Sequence, residues 1–350
     1  MNSNLRTFKG KTIYVGIDVH LKSWSIALYM DEVALKKFTL SPPNPNTLSQ
    51  KLKEEYVDAN FLCCYEAGFS GFWIKRNLDR LGLPTLIANP ADIPTTDREL
   101  RRKNDVIDAN KIVKALRAGL IESIYVPSLK VEKDRALIRF RDQLIKDERR
   151  LKQRIKMYIH YSGLGHKLNG LSWSKKHIEY LKKVAVETGD KYLMLILPLL
   201  EHSREYKLGV MKQIKALSVT KEYHQMSSLL QTIPGVSCLA SMILITEIVD
   251  MNRFVNLDKL CSYIGLIPDT NNSSDTERDR GITVRKNRRL RVLIIEISWI
   301  AIRYDPQLSL AYANYCKKMR GQKAIIKIAR KMAARIRYIW MNREPYHMST

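Results

Sequence analysis

Four carboxylates stand where a folded chain could direct them at a phosphodiester. Asp105 and Asp108 lie three residues apart in "KNDVIDANK" (103–111), a run that reads as the start of a helix. Two acids at that spacing share a helix face and repel one another unless a positive group sits between them. Either they solvate a helix N-terminus, where the helix dipole favours negative charge, or they hold a metal ion. Asp18 ends the apolar segment "VGIDVH", and Glu66 ends "FLCCYEA" in the same way. A carboxylate buried in an apolar strand is costly unless it is paired or bound to metal. Sites in α/β sheets collect at strand ends. For each acid alone a strand-end or helix-cap role is the plain reading; jointly, in a chain of net charge +25, they favour a divalent-cation pocket. Oxygen-only ligands suit Mg2+ or Mn2+. A pair of such ions, roughly 3.5–4 Å apart, activates a nucleophile and stabilises a leaving oxygen in phosphodiester chemistry.

The elements that must position these acids follow from periodicity. Residues 12–40 read as three short strands, "SPPNPN" (41–46) as a loop, and "TLSQKLKEEY" as a helix capped by Thr47. "FLCCYEA" (61–67) reads as a buried strand, "GFWIKRNLDRLG" as a helix, "PTLIANP" as a strand, and "DVIDANKIVKALRAG" as an amphipathic helix closed by Gly119. A three-strand meander followed by alternating helix and strand gives an α/β layer domain with a mixed sheet. From 131 to 229 the pattern changes to long runs with apolar positions three and four apart. This predicts an antiparallel helical or coiled-coil arm, broken at "SGLGHKLNGLS". A helical bundle within one monomer fits that pattern equally well. The last third is mostly helical. It opens on "LQTIPGVSCLASMILITEI", where Gly235 would make the tight turn of a helix-hairpin-helix whose backbone N–H groups face a phosphate. The expected organisation is therefore 1–125, 131–229 and 230–345.

The 350 residues carry 60 Lys and Arg against 35 Asp and Glu. Spread over the whole chain, that excess suits an extended polyanionic partner, most simply nucleic acid. No apolar run is long enough to span a bilayer, "LMLILPLL" (193–200) being short and interrupted by Pro198, and the N-terminus lacks a signal-peptide core. The five cysteines form no CxxC pair, which fits reduced thiols in a cytosol. The expected location is the bacterial cytoplasm, at the nucleoid, with no membrane partner. "GIDVHLKS" has the look of an actin-like phosphate hairpin, but no Walker A pattern or second glycine-rich loop accompanies it. His20 reads as a surface or hydrogen-bonding residue, and Trp24, Phe72 and Trp73 as core packing rather than base stacking.

"YVGIDVHLKSWSIAL", "CYEAGFSGFWI" and "KNDVIDANKIVKAL" resemble the amino-terminal part of the IS110-family transposases, and "LQTIPGVSCLASMILITEIVDMNRFVNLDKLCSYIGLIPD…GIT" resembles that family's carboxy-terminal domain. The resemblance implies an RNase H-like (RuvC-like) domain whose DEDD tetrad is Asp18, Glu66, Asp105 and Asp108, a helical arm, and a mostly α transposase domain. It also implies a nucleophilic serine between "GLIP" (265–268) and "GIT" (281–283). Counting inward from both anchors gives Ser273, while a slip of one residue would promote Ser274. Here "NSS" stands for the family's Ser-Ser-Gly, and Lys286 replaces a glycine. Arg278, Arg280, Arg285, Lys286, Arg288, Arg289 and Arg291 could then hold DNA phosphates; a solvated basic face is the lesser alternative for that run.

By resemblance the chain is a DNA transposase or recombinase. Ser273 would attack a DNA phosphodiester to form a covalent phosphoserine link, assisted by Mg2+ or Mn2+ at the tetrad. A structured non-coding bridge RNA would guide it by pairing with donor and target DNA, and the protein would work as a homodimer or homotetramer. Two alternatives compete: a RuvC-like junction nuclease using metal-activated water, and an inactive nucleic-acid-binding relative.

Overall fold

The computed structural model describes residues 7–94, 105–164, 172–268 and 281–348, with 105–107 described in backbone only. The chain divides into two compact units, 1–126 and 127–350.

In the first unit, apolar and β-branched segments form β1 (Thr12–Val19), β2 (Trp24–Met30), β3 (Val33–Leu40), β4 (Asn60–Glu66) and β5 (Thr85–Ala88). They make one sheet in the order β3-β2-β1-β4-β5. β1 pairs antiparallel with β2 and β2 with β3, while β1–β4 and β4–β5 are parallel. This mixed five-stranded sheet is the RNase H-like arrangement expected above. Helices α1 (Pro45–Glu55), α2 (Trp73–Arg80) and α3 (Asp105–Arg117) complete the unit. The cap of α1 differs from expectation. Pro45, rather than Thr47, opens the helix, because its fixed φ suits the first helical position. Asn44 is the cap, its side chain accepting from the Asn46 N–H at 2.8 Å.

Strand alternation divides the sheet into two faces. Ile13, Val15 and Ile17 of β1 join Cys63, Tyr65, Ile74 and Leu78 in the core under α2. The opposite face carries Gly16 and Cys64 against α3, where Ile112, Ala115 and Leu116 pack on Cys64 and Ala88, and Val113 on Ala27. Gly16 is required by this contact. A Cβ there would lie 2.7 Å from both Val113 N and Val113 Cβ, and would strike the Ala109 carbonyl as well. The direction of α3 is fixed at its far end. Arg117 donates to the Asp31 carbonyl at 3.0 Å, and Asp31 follows Met30, the partner of Ile13. So α3 runs against β1, and its first turn lies toward the end of β1 that carries Asp18.

Among the described residues, the regular elements of the second unit are helices: α4 (Leu129–Tyr161), α5 (Lys175–Thr188), α6 (Lys191–Ser218), α7 (His224–Gln231), α8 (Cys238–Ile248), α9 (Leu257–Ile264), α10 (Arg288–Tyr304), α11 (Pro306–Cys316) and α12 (Gly321–Asn342). The second run of the arm is thus interrupted. Gly189, at φ 64°, ends α5, and the Asp190 side chain caps α6. Pro198 lies inside α6 without ending it. The outer arm has its own core of Leu151, Ile155, Ile159, Ile178, Leu181, Leu193 and Leu197. The remaining helices enclose a larger core around Met242, Leu244, Ile248, Ile294, Ile328 and Met332. No described helix is long and apolar enough to cross a membrane.

Candidate active site

Asp18 and Glu66 continue the rows that begin at Gly16 and Cys64. The last registered pairs of the two parallel strands are Gly16 with Cys64 and Ile17 with Tyr65. The two acids therefore follow at adjacent strand ends, on the α3 face, with the strands about 4.8 Å apart. Asp18 is mostly buried and its Oδ2 lies 3.0 Å from His20 Nε2. His20 thus touches the candidate ligand itself, and its backbone N–H closes the β1–β2 turn by donating to the Ser23 carbonyl.

Asp105 begins α3, and Asp108 sits one turn on, directly before the Ala109 that presses on Gly16. The antiparallel run of α3 on β1 points this turn at the strand ends bearing Asp18 and Glu66. Asp108 Oδ1 pairs with the Lys111 ammonium at 3.0 Å, so this carboxylate already draws a cation to the α3 face. Among the described residues no three His, Cys, Asp or Glu side chains lie within metal-holding reach of one another, and the side chain of Asp105 lies outside them. The donor chemistry, carboxylate oxygens only, fits Mg2+ or Mn2+.

Ser273, with Ser274, Arg278 and Arg280, lies outside the described residues. The stem that carries this segment is described. Pro268 bridges to Ile282, the Thr283 N–H donates to the Ile267 carbonyl at 3.0 Å, and the Asn287 N–H donates to the Tyr263 carbonyl at 2.9 Å. Gly265, at φ 87°, ends α9 where a side chain would collide with the Arg291 guanidinium.

The arginine run divides on inspection. Arg285, Lys286 and Arg288 are exposed. Arg289 faces inward, 2.7 Å from Asp142 Oδ2 and 3.5 Å from Glu247 Oε1. Arg291 is 8 % exposed, its Nη2 donates to the Thr283 carbonyl, and burial lowers its pKa. Arg291 thus braces the stem, whereas Arg289 ties α10 to α4 and α8. Gly235 does form the tight turn between α7 and α8, at φ 90°, but its bare Cα face packs on Ile297 and Ile300 of α10. The first turn of α8 is capped by Ser237, whose Oγ accepts from the Ala240 N–H. In this structure the glycine serves helix packing.

Sequence reasoning missed Glu247. It lies in the apolar run "ILITEIV" and is 2 % exposed. Arg139 of α4 binds it through two hydrogen bonds of 2.9 Å, and Asn287 Nδ2 donates to it at 3.2 Å. Burial alone would raise its pKa, but the Arg139 hydrogen bonds and charge, with help from Arg135 and Asn287, outweigh it and hold the carboxyl below its ordinary value. A charged residue inside an apolar helix is the one signal that could have flagged it. Of the aromatic residues read as core, Trp24 is buried and Phe72 packs on the core, whereas Trp73 is 47 % exposed.

Residues 15–160 match the DEDD transposase family model of the IS110 group, described as "Transposase", and residues 227–313 match the model "Transposase IS116/IS110/IS902 family". The chain is similar to y4qE of Sinorhizobium fredii, 26 % identical over 251 residues that span 70 % of this chain and 59 % of that protein. It is 27 % identical over 272 residues to the transposase for insertion sequence element IS1533 of Leptospira borgpetersenii, covering 70 % of this chain and 72 % of the relative. It is 24 % identical over 286 residues to the transposase for insertion sequence element IS1111A of Coxiella burnetii, covering 80 % and 77 %. Among solved structures, Thermus thermophilus RuvC aligns with a TM-score of 0.25 at 10 % identity, over 32 % of this chain and 99 % of that one.

Proposed function

Because the chain belongs to the IS110 family of insertion-sequence transposases, we propose that its two units supply two halves of one DNA strand transfer. The first would hold divalent cations on Asp18, Glu66, Asp105 and Asp108. The second would present Ser273 as the nucleophile. The observation that carries the first half is the Gly16 contact, which seats the start of α3 over the strand ends bearing Asp18 and Glu66.

A cation bound there supplies positive charge to a phosphate in transit. The chain's own groups do the rest. Asp18, Glu66 and Asp108 orient the site, and His20 fixes the Asp18 carboxylate through Nε2. The Asn287–Tyr263 and Pro268–Ile282 pairs brace the stem of the serine segment. Exposed Arg285, Lys286 and Arg288 grip DNA backbone beside it. The serine hydroxyl forms the new phosphoester and releases a DNA 3′-hydroxyl, which attacks the same kind of link in reverse to complete exchange without net hydrolysis. A structured guide RNA, pairing with donor and target DNA, would choose the sequences, and a homo-oligomer would carry the reaction.

The decisive experiment compares Asp18→Asn and Ser273→Ala in strand cutting with Mg2+. Loss of activity in both, with a covalent protein–DNA species seen only when Ser273 is present, is the expected result. Cutting that survives Ser273→Ala would make the protein a metal-dependent hydrolytic nuclease instead. Sequencing the nucleic acid that co-purifies tests the guide: one structured RNA is expected, and random cellular RNA would refute it.

A further inference from the structure

The loop between β4 and α2 holds a large apolar side chain in water. Phe69 is 71 % exposed, three residues past Glu66. Its backbone surroundings are nevertheless tied down. The Ala67 N–H donates to the Ala88 carbonyl at 2.9 Å, the Gly71 N–H to the Gly68 carbonyl at 3.2 Å, and the Tyr65 hydroxyl to the Gly71 carbonyl at 2.8 Å. Ser70, next to Phe69, is buried. The loop thus presents the phenyl ring from fixed supports rather than burying it. At the same end of the sheet Trp73 opens α2, half exposed, its ring 6.1 Å from that of buried Trp24. Trp24 pairs with Val19, the residue after Asp18. A further exposed apolar residue, Leu21 at 80 %, tips the β1–β2 turn.

We propose that Phe69 is a stacking platform for an unpaired base of the DNA strand whose phosphate lies at Asp18 and Glu66. The inference rests on the reading of those acids as the site of strand chemistry. Three observations favour a base over another apolar occupant. The chain carries +25 charges and belongs to a transposase family, so a nucleic acid is the partner that reaches this edge. Three residues separate the ring from Glu66, a backbone span of at most about 11 Å, which suits one strand touching both. Flat aromatic faces held on a rigid support bind bases of any sequence, because every base has a π-face. An unpaired base arises where strands are exchanged, and a platform here would keep the opened strand from re-pairing while its phosphate is held.

The test uses the full-length protein with EDTA present to stop cutting. Binding is compared between a fully paired DNA duplex and the same duplex with a central unpaired bubble carrying 2-aminopurine. The wild-type protein is expected to prefer the bubble by roughly 5- to 150-fold, the range set by stacking of one base, and to quench the 2-aminopurine. Phe69→Ala should lose preference and quenching while its affinity for paired duplex and its salt dependence stay the same. Phe69→Tyr should restore both. A bubble preference kept by Phe69→Ala overturns the proposal. So does a preference confined to RNA bubbles, or a change in oligomeric mass on Phe69→Ala without a change in bubble binding, which would assign the ring to a protein interface. Asp18→Asn separates the two readings. It should abolish cutting with Mg2+ yet keep the bubble preference. Wild-type cutting by Asp18→Asn would sink the acid site while leaving the stacking result to stand or fall alone.

Discussion

Replacing Gly16 by alanine tests how the acid end of the first unit is assembled. The added methyl would sit 2.7 Å from Val113 N and Cβ, whereas ordinary contact begins at 3.4 Å, so α3 must withdraw from β1 by at least about 0.7 Å. The Ala109 carbonyl demands more, and the helix backbone cannot yield as a side-chain tip would. Overpacking of this kind costs about 1–3 kcal/mol. The withdrawal acts on the turn that carries Asp105 and Asp108, and a misplacement of about 1 Å costs roughly 100-fold in rate. Urea unfolding of the full chain should therefore show the first unit destabilised. Metal-dependent strand cutting, measured well below the new midpoint, should fall by one to two orders of magnitude. Unchanged unfolding, or destabilisation with cutting within twofold of wild type, would refute the idea that the Gly16 seat sets the position of α3's first turn.

Glu247→Gln should cost about 1.5–3 kcal/mol, because the charge-assisted hydrogen bonds from Arg139 are weakened while that half-exposed guanidinium keeps its water; calorimetry of the second unit's transition checks it. Arg285→Gln, Lys286→Gln and Arg288→Gln should each flatten the slope of log affinity for duplex DNA against log salt by about 0.9, whereas Arg291→Gln should lower stability instead, read by titrating salt and by melting. In the arm, Glu148 is 6 % exposed and meets Lys152 at 2.7 Å, Arg204 at 3.3 Å and Lys207. Burial would raise its pKa, but the lysine hydrogen bonds and charges bring it down to about 2. A carboxyl depressed in the folded state contributes stability that is full above the ordinary value of 4.5 and is lost as pH falls from there toward 2. Acid titration of Glu148→Gln should accordingly lack part of the wild-type loss of arm helicity in that window.

Much of the first unit was legible because its signals are local. Apolar β-branched runs gave all five strands, and an acid closing two of those runs pointed to one edge of the sheet. What joins Asp108 to that edge was not legible. It depends on Gly16, whose missing side chain carries no pattern of its own and acquires meaning only once α3 is seen against it. The second unit was read less well. The long second helical run was expected to pass Pro198, and α6 does, because a helix tolerates one missing N–H when its neighbours are packed. The real interruption, at Gly189 and Asp190, is ordinary cap chemistry that went unread within a long helical run. Glu247 and Arg139 are 108 residues apart, so no window could pair them. The arginines of 285–291 looked alike in sequence, and burial alone separates the exposed side chains from the internal ties.

The carboxylate of Glu247 fastens three parts of the second unit at one point: α8, on which it sits, the long helix α4 through Arg139, and the cap of α10 through Asn287 and Arg289. Rotating α4 about its axis would pull the Arg139 guanidinium away and leave the buried carboxylate to Asn287 and Arg289 at the start of α10. The long helix of the arm and the helix that follows the segment between 268 and 281 thus share one pin, and loosening that pin should loosen both at once.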